Sequence, residues 1–490
     1  LKIKGNKMHE TKSIKKNFLL NSILTVTTVL VPLITFPYIS RVLLVEANGK
    51  VNFASSVINY FVMFSALGIP TYGIRACARV RDDKEQLSKT VHELLFINTV
   101  MTVITYTVFL CSLFLVPQFS QEKTLFLITS LNLLLNVVGM NWLYSALEEY
   151  KYITIRSLIV KLFSVICIFT LLHSPKDYKI YALILVVSTV GSNLFNFVYS
   201  RHFVSYKYYG HYEIKKHLKP IVTFFATTVA ISIYANLDTV MLGFVAGDIE
   251  VGYYSAALKI RNTLATLAVS LGTVLLPRLS YWAQNKEIEK FKMALKKSFQ
   301  FMFFMAIPIT VYFVIYAKPT ILLFSGKDYA GAILPTQWLV PTVFFAGLSN
   351  VTGTQAMVPF GNENKMLISI LWGAVTNFSL NCVLIPKYGS AGAAFATMIT
   401  EVVVLGIQCV YIRKLLSEIK IIKFVWKPAI ASIISILCSL YVTTHVTLSL
   451  FGELAVSSLI FGLGYISILI FAKEELMMQV FSDLKKKLKE

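Results

Sequence analysis

The stretch YYSAALKIRNTLATLAVSLGTVLLP, residues 253–277, is long and apolar enough to cross a bilayer, whose hydrocarbon core is about 30 Å thick. Yet Lys259 and Arg261 lie a few residues inside one end of it. A cation in hydrocarbon costs at least about 2.5 kcal/mol, and it persists where it faces a cavity, a partner or a pathway. The rest of the chain is built of the same material. Apolar runs of span length recur from Phe18 to Phe471, and the 490 residues are 56% hydrophobic and only 14% charged. A soluble chain carries about 25% charged residues. The composition predicts an all-α integral membrane protein.

Taken in order, the runs predict about fourteen transmembrane helices. A basic tail (1–17) precedes six spans (18–200), and a basic linker (201–219) leads to six more (220–412). A loop (413–427), a final helix pair (428–472) and a second tail (473–490) complete the chain. The first run is too long for a signal-peptide core and lacks a small-x-small cleavage site, so it reads as retained. The net charge of +21 is sorted by side. One set of alternate loops and tails holds 34 of the 46 Lys and Arg, and the opposite set holds eight, Arg41 and Lys50 among them. The last four lie inside spans: Arg156, Lys161, Lys259 and Arg261. By the positive-inside rule both termini are cytoplasmic. Basic loops of this kind are topology signals that touch anionic membrane lipids, and they call for no nucleic acid.

The chain also repeats itself. RVLLVEANGKVNFASSVIN (41–59) lies over TVMLGFVAGDIEVGYYSAALK (239–259), pairing Val51 with Val251, Phe53 with Tyr253 and Ser55 with Ser255. Residues 145–161 parallel 358–374, aligning Lys151 with Lys365, and 174–194 parallel 385–405, aligning Pro175 with Pro386. The matches keep their order, so six spans repeat as six spans in the same orientation. Two pseudo-symmetric six-helix lobes plus a C-terminal helix pair follow. Parallel repeats of this kind occur in transporters whose site lies at the repeat interface.

Within the opening stretch, Ser255, Lys259, Asn262, Thr266, Ser270 and Thr273 recur at spacings of three and four, which places them on one helical face. Arg261 lies off that stripe, beside Ala265, Ala268 and Gly272. Span one carries a comparable stripe in Asn17, Asn21, Thr25, Thr28, Pro32 and Thr35, and span seven in Thr223, Thr227, Tyr234 and Asp238. For any single hydroxyl, ordinary interhelical hydrogen bonding is the plainer account. A mid-face cation such as Lys259 needs water or an anion, unless Asp238 is its salt-bridge partner. Arg75 and Arg79, at the cytoplasmic end of span two, snorkel or line a mouth, and the sequence favours neither. In span five Lys161 is the better candidate for a cavity than Arg156. Glu401, mid-way through span twelve, favours protonation there, as a proton site or as a structural partner.

Enzyme signatures are missing: there is no H-E-x-x-H, Walker A or G-x-S-x-G, and no metal-spaced histidine cluster. No outer loop is long enough for a catalytic domain. The six cysteines have no C-x-x-C spacing and read as small apolar fillers.

FPYISRVLLVEANGKVNFASSVINYFVMFSALGIPTYGIRACARVRDDKEQLSK (36–89), with NWLYSALEEYKYITIRSLIVK (141–161) and IPKYGSAGAAFATMITE (385–401), resembles the Wzx-type polysaccharide flippases. These belong to the polysaccharide transporter branch of the multidrug/oligosaccharidyl-lipid/polysaccharide exporter superfamily. The resemblance implies fourteen helices in two lobes and a cationic central cavity working by alternating access. It also implies the cargo, an undecaprenyl-pyrophosphate-linked oligosaccharide moved from the inner to the outer leaflet of the bacterial cell membrane. The polymer would be capsule, exopolysaccharide or teichoic polymer, with polysaccharide polymerase and chain-length machinery as partners. The candidate substrate contacts are Lys259, Arg41, Arg75, Lys161, Asn59, Asn21, Asn262 and Arg261. Asp238 and Glu401 are the candidates for coupling or a salt bridge. No cofactor is expected. Moving two negative charges outward gains up to about 4.6 kcal/mol at 100 mV, so proton or sodium coupling is admissible but not required. A lipid II flippase shares this logic. A multidrug/cation antiporter should carry acidic rather than basic residues within its spans.

Overall fold

The computed structural model describes residues 14–478. The described residues form helices and turns without a strand, and nine helices among them are long and apolar enough to cross a membrane. The chain divides into two compact units. The first comprises the residues up to Leu43 together with Val51–Ser232; the second comprises Leu44–Lys50 and the residues from Ile233 onward.

Unit 1 opens with α1 (Ile14–Ala66), two membrane helices joined at Leu44 without a loop. Leu44 sits at φ 61°, ψ 179°, a region populated almost only by glycine that costs a side-chain-bearing residue about 1–3 kcal/mol. One residue therefore makes the turn that the sequence spreads over 41–51. The second half of α1 ends at Ala66, and Gly68 leads into a separate amphipathic helix, α2 (Ile69–Arg79). Asp83 accepts from the backbone N–H of Glu85 and Gln86 (2.9 and 3.0 Å) and so starts α3 (Lys84–Leu115). After the short α4 (Pro117–Gln121), the fourth predicted span is broken. α5 (Lys123–Val137) stops, Met140 adopts φ 41°, and α6 (Asn141–Ala146) restarts. α7 (Tyr150–Leu171) is continuous, whereas the sixth span breaks at Gly191 between α8 (Tyr178–Val190) and α9 (Asn193–Ser200). Ile69, Leu87, Val91, Leu94, Trp142, Leu143 and Ile221 form its core.

The segment 201–219, read as a linker, already contains the start of α10 (Lys215–Val245). The unit boundary falls inside that helix, after Ser232. A buried clasp holds the start of α10 to unit 1. The His217 ring shares a hydrogen bond with Glu93 at 2.7 Å and another with the Tyr72 hydroxyl at 2.8 Å. The second Glu93 oxygen accepts from the Glu213 N–H at 2.6 Å.

Unit 2 continues through α11 (Asp248–Gln284), α12 (Ile288–Ile315), α13 (Ala317–Ser325), α14 (Ile333–Leu339) and α15 (Pro341–Ser349), which runs into a π-helical stretch, Asn350–Met357. The next helix, α16 (Glu363–Tyr411), is again two spans joined at one residue, Gly389. At φ 53°, ψ −132° that position excludes most side chains, and a Cβ there would also strike the Glu250 carboxylate. Glu250 in turn accepts from the Ser390 N–H at 2.7 Å, satisfying the backbone where the helix restarts. The chain finishes with α17 (Arg413–Ile419), α18 (Trp426–His445) and α19 (Leu450–Phe471). This pair docks on α12 through Tyr312 to Ser457 and Tyr316 to Ser439, both 2.8 Å. Such small-residue, hydroxyl-bonded seams hold helices together where no hydrophobic drive exists.

Leu44–Lys50 belongs to unit 2 because it packs on the start of α11 and on Tyr329. Asn48 donates to the Tyr329 hydroxyl, which donates to the Leu44 carbonyl, each at 3.1 Å.

Candidate functional site

Asp238, on α10, is buried in unit 2 and is the focus of a set of oxygen and amide groups. It accepts from the Tyr254 hydroxyl at 2.5 Å, from Thr397 at 2.7 Å and from the Asn381 amide at 2.5 Å. Asn381 also donates to Asn377 Oδ1 at 3.1 Å, while its own Oδ1 is buried with no hydrogen-bond partner. The partners come from α11 and from both halves of α16. The salt bridge weighed between Asp238 and Lys259 is therefore not formed, because hydroxyls and an amide occupy the carboxylate instead. A buried carboxylate held by neutral donors keeps its charge only partly compensated. The surrounding oxygens of Tyr254, Thr397, Asn377 and Asn381 are hard ligands of the kind that suit an alkali cation or a proton. Among the described residues no group of three or more His, Cys, Asp or Glu is placed to hold a metal ion.

A second charged centre lies in the same unit. Arg261 pairs with Glu401 at 3.1 Å and donates to Thr342 at 2.8 Å and to Asn262 Oδ1 at 3.2 Å. Glu401 is buried and the Arg261 side chain is 19% exposed. Arg261, off the polar stripe as the sequence places it, points into the interior of unit 2, where α15 and α16 supply its partners, and it bonds the exposed Asn262 beside it. Lys259 is half-buried and Thr266 exposed, with Ser255 buried one turn away. The hydroxyls here bond first to their own helix, Thr266 of the stripe to the Asn262 carbonyl at 2.9 Å and its neighbour Thr263, off the stripe, to the Lys259 carbonyl at 2.9 Å. They keep lone pairs free to accept from a ligand.

In unit 1, Arg41 is exposed and donates to the Pro37 carbonyl at 2.7 Å, Arg75 is exposed on α2, Asn59 is exposed on α1, and Lys161 is half-buried on α7. Asn21, with Asn17, Thr25 and Thr28, lies outside the residues whose side chains are described, as do Thr227, Tyr234, Ser270 and Thr273. The structure brings together Arg261, Asn262 and Glu401, and separately gives Asp238 three neutral hydrogen-bond donors. Sequence reasoning missed Tyr254, Asn377, Asn381 and Thr397. The i, i+4 pair Asn377 and Asn381 inside an apolar run was the available signal.

Two helical units with buried acids, half-buried cations and broken membrane helices define a multi-pass membrane transporter. Solved structures carry the same fold. A lipid II flippase, MurJ, in an inward closed conformation aligns with TM-score 0.76 at 20% identity, over 94% of this chain and 100% of its own. An inward-facing multidrug resistance MATE family transporter aligns at 0.63 and 15% identity, over 82% and 99%. The profile of the polysaccharide biosynthesis protein family matches residues 14–282 and that of MatE residues 224–383. The chain belongs to the polysaccharide biosynthesis protein family, as a Wzx-type polysaccharide transporter of the exporter superfamily named above. The "Putative O-antigen transporter" of Escherichia coli K12 is 24% identical over 404 residues, covering 82% of this chain and 97% of that protein.

Proposed function

We propose that this transporter flips an oligosaccharide repeat unit linked to undecaprenyl pyrophosphate from the inner to the outer leaflet of the bacterial cytoplasmic membrane, for surface polysaccharide assembly. The observation that carries the reading is the match, over 82% of this chain and 97% of that protein, to the "Putative O-antigen transporter". The cations add chemical support, because a lipid diphosphate cannot cross hydrocarbon without counter-charge. Lys259, Arg41, Arg75 and Lys161 supply it, Asn59, Asn21 and Asn262 offer amides to sugar, and the prenyl chain stays in lipid. Polymerase and chain-length proteins receive the product. Complementation tests the reading: expression in a strain lacking its repeat-unit flippase should restore surface polymer. Rescue instead of a strain depleted of its lipid II flippase would assign the cell-wall precursor.

Both termini are cytoplasmic in this reading, on the strength of the loop asymmetry. Reporter fusions after each span should give a cytoplasmic signal at Glu490, and an extracytoplasmic one there would overturn the even-span topology.

The Asp238 cluster is the coupling site, taking a sodium ion or a proton. Ligand that binds only the folded form at 100 times its Kd stabilises by about 2.7 kcal/mol. Wild-type protein should therefore melt higher in sodium than in choline chloride, or show a pH-dependent melting point. Asp238→Asn should abolish that dependence. The same salt and pH response in both proteins would remove Asp238 from coupling.

A further inference from the structure

We propose that Arg156 forms an anion subsite within unit 1 that takes the phosphate of a lipid head group, with the Tyr152 hydroxyl as a second donor. Arg156 is half-buried, and all its partners are neutral. Its guanidinium donates to Asn196 Oδ1 and, at 3.0 Å, to Asn141 Oδ1, and it lies 5.5 Å from the centroid of the Tyr152 ring. No carboxylate among the described residues pairs with it, in contrast to Arg261. An unneutralised guanidinium in a membrane helix is costly, and an anionic ligand is what removes that cost.

Two atoms here have no use in the protein. Arg156 Nε and the Tyr152 hydroxyl are both buried without a hydrogen-bond partner. With two N–H groups committed to asparagines, the fork retains donors for phosphate oxygens. The asparagines are themselves delivered by broken helices: Asn141 opens α6 after the Met140 break, and Asn196 lies on α9 after the Gly191 break. Asn196 is fixed in turn by bonds to the Gly139 carbonyl and to Asn141. Interrupted helices are where membrane proteins expose polar groups to a ligand.

The depth suits a head group. Arg156 follows Lys151 by five residues, about 7.5 Å along the helix, which matches the thickness of an interfacial region of roughly 5–8 Å. The phosphate is either the diphosphate of the transported lipid or that of a bilayer phospholipid. The identity of the cargo rests on the flippase reading; the anion site does not.

The test uses the purified full-length chain in neutral detergent, titrated with radiolabelled inorganic diphosphate. Arg156→Gln should weaken binding about tenfold or more, with part retained in Arg156→Lys. Tyr152→Phe removes a hydroxyl that bonds nothing in the protein. It should leave the melting temperature unchanged and weaken binding about three- to tenfold. Repeating the titrations in Lys259→Ala protein removes the contact assigned to unit 2, and the Arg156 dependence should persist there. Competition by undecaprenyl diphosphate identifies the cargo as the occupant, and competition by phosphatidylglycerol in nanodiscs identifies the bilayer lipid. Affinity within twofold of wild type in Tyr152→Phe and Arg156→Lys would show Arg156 to be a structural pin alone. If Arg156→Gln fails to accumulate, those two variants decide.

Discussion

Glu401→Ala is expected to destabilise the protein by about 3–5 kcal/mol, because it leaves the Arg261 guanidinium in the interior of unit 2 with only Thr342 and Asn262. For a membrane protein of marginal stability that is nearly complete loss of folded material, visible as aggregated protein on size exclusion. The double variant Arg261→Met, Glu401→Leu removes both charges and fills the volume, so it should recover most of the abundance. Glu401→Ala protein that folds and melts like wild type would show the pair to be energetically idle, and Arg261 would return to the candidates for substrate contact.

Lys259→Ala should instead spare folding and cost transport. Its charge-assisted contact to a diphosphate is worth about 1.5–3 kcal/mol, or about ten- to hundredfold in affinity. Surface polymer should fall accordingly at normal protein abundance. Lys259→Arg should keep part of the function, since it keeps charge while replacing a point ammonium with a planar fork. Normal polymer from a normally abundant Lys259→Ala protein would exclude the role. Poor abundance would place Lys259 among the groups that hold unit 2 together.

Much of the helical layout was readable because hydrophobic runs and breakers act locally. The matched repeats fall at corresponding turns. Pro175 opens the turn before α8, and Pro386 lies three residues before the Gly389 break. Leu44 and Gly247 mark the first turn of each half. The interrupted spans were not readable, since Met140 and Gly191 sit in runs whose hydropathy continues across the break. The anomalous acids were visible as single residues, but their surroundings were not. Asp238 takes Asn381 and Thr397 from 143 and 159 residues away, and Arg261 takes Glu401 from 140. Helical periodicity names a face, and it does not say which distant helix meets it. Arg261 shows the consequence: its ion-pair partner, Glu401, lies on a helix that no local pattern announces.

The bond between Asn48 and Tyr329 spans 281 residues, and that distance is also an interval of time. At roughly 5–20 residues per second of synthesis, Asn48 is inserted about a quarter-minute to a minute before its partner leaves the ribosome. Through that interval a tight, strained turn at Leu44 exists without the hydroxyl that will hold it. A message truncated after the first unit would consequently yield a fragment whose earliest turn lacks the Tyr329 hydroxyl.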